Sequence, residues 1–353
     1  MEIQNTTNSL QSGQAGTKRS EYIDALRGFT MFLVVVCHVS LFCFGVFGRG
    51  YTYVTFVLQM VMPLFFFISG FVMYKADMKW DVGQIVKFFK KKTPVLLITP
   101  FIFFAIYVFS FNKSMMQGLF DVGKFGYWFT YVLFVYYVIY VTVMSICRKW
   151  WADILLVVIG LCIYVVIWPG YRDHIPVSGD ILSLLSVDRW HHFIFFVLGT
   201  LTKKHYEKVG QLLEGKWFVM VCLLFYFLSN TFKWGDVIPQ FLNFWLLSFT
   251  GIVIVFTFFK KNQAVFSKEH RLGRAMQFVG RRTLDIYLIH YFFLPENLTF
   301  VTVFKDHPMP ILEFLASSTV AIIVIVASLL VSNIIRLSPF LAHWLFGAKR
   351  VSN

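Results

Sequence analysis

Residues 22–45 read YIDALRGFTMFLVVVCHVSLFCFG, a stretch apolar enough to enter a bilayer that nevertheless carries Asp24, Arg27 and His38. An ionisable side chain at membrane depth costs a few kcal/mol on insertion scales, so its presence points to function. Arg27 and His38 stand eleven residues apart. At ~100° and ~1.5 Å per residue they share one helix face, about 16 Å apart along its axis, without touching. The guanidinium is a permanent cation suited to an anionic group, and the imidazole titrates near neutral pH, the property a general base needs. Such a face reads as the wall of a polar cavity. Asp24, three residues before Arg27 and on nearly the same face, could hold the guanidinium in place. A second polar stripe lies late in the chain, where Thr283, Tyr287 and His290 follow i, i+4, i+7 spacing. It is the natural partner of the first. His290 is read as supporting, because a lone intramembrane histidine more often bonds a neighbouring helix than reacts.

The elements that must carry these stripes are membrane helices. With 58% hydrophobic, 20% aromatic and 14% charged residues, the chain lies outside the range of soluble domains. Apolar runs at 22–45, 53–74, 94–111, 127–147, 154–168, 191–202, 217–230, 241–259, 284–300 and 311–335 imply an all-α polytopic membrane protein of about ten transmembrane helices. Pro63, inside the second run, leaves the carbonyl of Gln59 without its helical partner and should kink that helix. Placing both termini in the cytoplasm puts 24 of the 32 Lys and Arg residues on the inner side and seven on the outer, with Arg27 in the membrane. That asymmetry is the positive-inside pattern, so the formal charge of +14 needs no nucleic acid partner. Residues 1–20 are expected to form a disordered cytoplasmic tail, 21–346 one transmembrane domain and 347–353 a short tail. Within the basic stretch 75–93, Val82, Ile85, Val86 and Phe89 predict an amphipathic helix lying on the inner membrane surface. No metal site is expected: the five cysteines lack ligand spacing, and nothing completes a site around Asp188 and His192.

Three stretches resemble signatures of the membrane-bound acyltransferase-3 family. They are Tyr22-Ile23-Asp24-Ala25-Leu26-Arg27-Gly28 with the Arg-x10-His spacing closed by His38, the aromatic run after Pro63 that ends in Ser69-Gly70, and the segment from Gly280 to Tyr287-Leu288-Ile289-His290. The resemblance runs from Tyr22 to about Arg336. It implies a multi-pass enzyme of the bacterial inner membrane, surrounded by membrane lipid. The enzyme would move an acyl group, most often acetyl, from cytoplasmic acyl-CoA to a hydroxyl of a cell-surface polysaccharide or lipid-linked glycan. Acetyl-CoA would be a donor substrate, with no permanently bound cofactor. On that reading His38 and Arg27 are catalytic, His38 as base or acyl relay and Arg27 toward the diphosphate or thioester end of coenzyme A. Asp24, Ser69, Tyr287, His290 and Glu296 support them. The family often has an Arg-x-x-Arg pair in the loop after the second helix; Lys87 and Lys90 stand at that spacing, with Lys91 beside them, as candidates for the coenzyme phosphates. The appended esterase-like domain of larger relatives is not expected here. A transporter or exporter of saccharides or small molecules is the alternative, since ten helices with one broken would also suit transport. The Arg-x10-His pattern has no counterpart in the second half, and the absence of such a repeat favours the enzyme.

Overall fold

The computed structural model describes residues 20–45, 53–76, 78–147, 150–167, 178–231, 239–294 and 309–347, and these form helices and no strands. The molecule is arranged around α1 (Glu21–His38), thirteen of whose residues are buried. A helix apolar on nearly every side is satisfied only when other helices surround it. Here those are α2 (Tyr53–Met73), the Gln240–Lys261 helix, the Arg271–Arg281 and Thr283–Ile289 helices, and the long Pro310–Arg336 helix. The contact with Arg271–Arg281 is the most extensive, because Gly28 and Gly280 face each other there. A Cβ added to Gly280 would meet the Asp24 carbonyl oxygen at 1.8 Å. The Ser69-Gly70 pair has the same packing function on its glycine side: a Cβ on Gly70 would lie 2.0 Å from the Phe196 carbonyl oxygen of the Phe193–Lys204 helix.

Helix α2 includes Pro63 without a break in the helix. The Gln59 carbonyl that the proline leaves unbonded accepts a hydrogen bond from Ser248 Oγ at 2.7 Å. A neighbouring helix thus supplies the missing donor, as a membrane interior requires.

The basic segment differs from the sequence reading. Helix α3 (Val82–Thr93), capped by Asp81 Oδ1 accepting from Gln84 N at 2.8 Å, is not a separate surface helix. It continues through a π turn, Pro94–Ile98, into α4 (Thr99–Ser110), making one helical element of 29 residues. Pro94 has no N–H to contribute, and the wider turn passes it without ending the helix.

Among the described residues, five helices are long and apolar enough to cross a membrane, or six if the bent pair Tyr206–Glu214 and Lys216–Asn230 counts as one span. Val57–Met73 and Trp151–Ile167 are shorter apolar helices. Two of the ten apolar runs fall well short of a span among the described residues. Phe193–Lys204 has twelve residues, and the run at 284–300 is represented by the seven-residue Thr283–Ile289 helix and a 3₁₀ turn, His290–Phe293.

That short helix is tied down by charge. Asp285, 2% exposed, accepts from Arg336 Nε and Nη2 at 2.9 Å each, from Arg282 Nη1 at 3.1 Å and from Ser332 Oγ at 2.5 Å. Two cations and a hydroxyl on one buried carboxylate fix the register of Thr283–Ile289 against Pro310–Arg336. Asp285→Ala would leave both guanidiniums without their anion, and breaking a buried pair typically costs about 3–5 kcal/mol. A markedly lower melting temperature of the detergent-solubilised variant, followed by fluorescence-detected gel filtration, is the expected result.

Candidate active site

A cavity of about 830 Å³ follows the polar face of α1. Its wall includes Arg27, Met31, Val34 and His38, one residue per turn, which is the face that the eleven-residue spacing marks out. The α3–α4 element gives its length. Lys92 lines one end and Lys113 the other, and from Lys92 to Ser110 alone the helix rises about 27 Å at ~1.5 Å per residue. That is close to the ~30 Å hydrocarbon thickness of a bilayer.

His38 occupies the point where α1 gives way to a π turn, Val39–Cys43. His290 occupies a comparable break, where Thr283–Ile289 tightens into its 3₁₀ turn. The two rings are nearly parallel, at 8°, and His38 Nδ1 lies 2.9 Å from His290 Nε2. His290 is fully buried, and its Nδ1 lies 2.9 Å from the Ile286 carbonyl and 3.0 Å from the Tyr287 carbonyl. Carbonyl oxygens only accept, so Nδ1 of His290 carries the hydrogen and Nε2 of the neutral ring is an acceptor. Nδ1 of His38 therefore donates to it, and the lone pair of His38 is on Nε2. Tyr291 Oη stands 3.3 Å from that nitrogen and can donate to it. Of the two histidines, only His38 is partly exposed and lines the cavity. The arrangement is that of a base oriented by a buried partner, the geometry used to select one imidazole tautomer for proton abstraction.

The tyrosines around the pair are held by one strained turn. Lys124, Phe125 and Gly126 have φ of 45°, 49° and 102°, and such runs persist only where the surroundings fix them. The Gly126 carbonyl accepts from Tyr287 Oη at 3.0 Å, and Phe129 N donates to the same hydroxyl at 3.2 Å. A Cβ on Gly126 would strike the Tyr291 ring at 2.0 Å.

At the far end of the α1 face, Arg27 Nη2 donates to Thr283 Oγ1 at 3.1 Å, joining the two polar stripes a second time. Lys92 also lines this end, its ammonium 5.3 Å from the Tyr137 ring and within electrostatic reach of Arg27. Of the supporting residues, Ser69 lines the cavity with its hydroxyl donating to the Phe65 carbonyl at 2.8 Å. Asp24 is buried one turn before Arg27 and is not among the cavity-lining residues. Glu296 lies outside the described residues. Lys87, Lys90 and Lys91 are exposed on α3 and do not line the cavity, whereas the next residue, Lys92, does. Sequence reading also passed over Tyr291, Lys113 and Arg189. The first adjoins the quoted motif, and the other two fall among the seven cations placed on the outer side by charge alone.

The acyltransferase-3 family model, described as an acyltransferase domain, matches residues 20–335. The chain belongs to the acyltransferase-3 family. It is accordingly a membrane acyltransferase. No curated protein and no solved structure matches it. Within this acyltransferase the Arg-x10-His spacing defines the wall of one cavity, and the late Tyr-Leu-Ile-His segment supplies the residue that orients the histidine.

His290→Ala should lower kcat for acyl transfer about 10²-fold or more, the scale of general acid–base contributions, while leaving KM for the acyl donor near the wild-type value. A change confined to KM would show that the pair serves donor binding instead of proton transfer.

Proposed function

We propose that this protein is a bacterial inner-membrane O-acyltransferase that moves an acyl group, acetyl in the first instance, from cytoplasmic acyl-CoA to a hydroxyl of a cell-surface polysaccharide or lipid-linked glycan. The observation that carries the reading is the cavity itself, with one oriented base on its wall and cations at both ends. Residues 21–346 act in it as one transmembrane domain with both termini cytoplasmic, in keeping with the charge asymmetry of the sequence.

The Arg27 end faces the cytoplasm in this reading. Arg27 and Lys92 receive the diphosphate of coenzyme A, the guanidinium as a fork and the ammonium as a point charge. The exposed Lys87, Lys90 and Lys91 add attraction for the incoming anion and for anionic lipid. The pantetheine arm extends along the apolar wall of Met31 and Val34, which brings the thioester toward His38. The acceptor hydroxyl enters from the Lys113 end and displaces Tyr291 from Nε2 of His38. As the oxygen attacks the thioester carbonyl, Nε2 takes its proton; His290 keeps the ring aligned as charge develops on it. The freed Tyr291 hydroxyl donates to the tetrahedral oxyanion. Collapse expels the coenzyme A sulfur, which takes the proton back from His38, leaving the ester on the glycan and the free thiol.

The test is transfer of labelled acetyl from acetyl-CoA into a glycan fraction by membranes carrying equal amounts of each variant. Wild type should label the glycan and His38→Ala should not. Lys92→Ala should raise KM for acetyl-CoA roughly tenfold, the effect of losing about 1.4 kcal/mol from one charge-assisted contact. Equal labelling by wild type and His38→Ala would remove His38 from the mechanism. No labelling with any of several acyl-CoA donors would favour the export of saccharides over their acylation.

A further inference from the structure

The proposed mechanism uses the base and the donor end of the cavity and leaves the charges at the other end unassigned. Lys113, Asp121 and Arg189 line that end together with Phe125 and Trp128. Asp121 is engaged by its own turn, where Oδ2 accepts from Phe125 N at 3.1 Å. The two cations make no salt bridge among the described residues. Lys113 Nζ lies over aromatic rings, 5.5 Å from Phe125 and 5.8 Å from Tyr107. Arg189 is the more constrained of the two. Its guanidinium stacks 4.9 Å from the Trp128 ring, its Nε is enclosed without a hydrogen-bond partner, and it lies within electrostatic reach of Asp188, Asp121 and Tyr291. The backbone that carries it is fixed as well, since Tyr136 Oη donates to the Arg189 carbonyl at 2.8 Å.

A partly desolvated guanidinium held against an aromatic face, with an enclosed donor unused, is costly unless an anion completes it. Asp188 is within electrostatic reach of Arg189 but does not line the cavity; among the described residues the one carboxylate on its wall at this end, Asp121, is already used as a turn cap, against two cations that face the same space. The positive excess opens into the cavity whose wall also holds His38.

We propose that the Lys113 end of the cavity is a subsite for an anionic group, a carboxylate or a phosphate, borne by the saccharide that receives the acyl group, with Arg189 as its main partner and Lys113 as the second. The proposal rests on the reading that this end faces the acceptor. Arg189 and Lys113 hold the anion and thereby set which hydroxyl of the neighbouring sugar reaches Nε2 of His38. Neutral glycans bind less well because they bring no anion to the two cations that face the cavity.

The field and the binding can be measured without turnover, so failure of acyl transfer would not affect the result. Phe125→Cys puts a thiol inside the charged ring, at a backbone position that already tolerates a side chain with positive φ. Leu294→Cys, also on the cavity wall, is the second variant should the first not give a monodisperse protein, and the protein without the added cysteine is the blank. In membranes, an anionic methanethiosulfonate reagent should modify the thiol roughly tenfold faster than a cationic one, after normalisation to free cysteine, as expected for unit charges within a few ångströms of the site. Arg189→Gln should remove most of that preference. Trigalacturonate, glucose 1-phosphate and neutral maltotriose are then tested for protection of the thiol. Protection by trigalacturonate alone identifies a sugar carboxylate, by glucose 1-phosphate alone a sugar phosphate, and by both the shared anionic chemistry. Equal reagent rates, a cationic preference, protection by maltotriose to the same degree, or protection by none of the three would overturn the proposal.

Discussion

The hydrogen bond between His38 and His290 joins two places where regular helix breaks down inside the bundle. Helix α1 widens into a π turn directly after His38, and Thr283–Ile289 tightens into a 3₁₀ turn at His290. The buried member of the pair has both backbone-facing bonds satisfied, so the proton arrangement propagates in one direction, from the carbonyls of Ile286 and Tyr287 to Nε2 of His38.

The rest of the architecture holds these breaks at a fixed separation. Close backbone packing between α1 and Arg271–Arg281 sets one boundary, and it depends on Gly28 and Gly280 having no side chains. The four bonds to Asp285 set the other, by clamping Thr283–Ile289 to the Pro310–Arg336 helix. Between the two, Arg27 reaches Thr283 and His38 reaches His290, so a slip of either helix would break both links at once. A bilayer gives little hydrophobic reason for helices to associate. Small-residue contacts and buried polar bonds therefore carry most of the specificity here.

The cavity divides the chemistry by position. Permanent cations stand toward the ends, and an imidazole stands between them in an apolar wall. This order follows from the cost of burying charge, which falls on an arginine or lysine at all times and on a neutral imidazole only during reaction. The same principle makes the strained 124–126 turn intelligible, since its Gly126 carbonyl lets the Tyr287 hydroxyl be bonded without water in a closely packed aromatic wall.

Much of this was legible in the sequence. Helical periodicity alone put Arg27 and His38 on one face, and the chemistry of proline alone required a donor for the Gln59 carbonyl. Charge asymmetry and three short motifs led to the family. The identity of that donor, Ser248, was not readable, because it lies 189 positions away along the chain. Nor was the choice of Lys92 over Lys87, Lys90 and Lys91. Four lysines on one segment are equivalent as charges, and only the continuation of α3 through the π turn into α4 decides which of them turns toward the cavity. The same holds for Arg189 and Asp285, whose sequence neighbours say nothing of Trp128 or Arg336. Local pattern fixes what a residue shares with its own helix. The partners that give a buried polar group its role come from other helices, and only tertiary packing brings them within hydrogen-bonding distance.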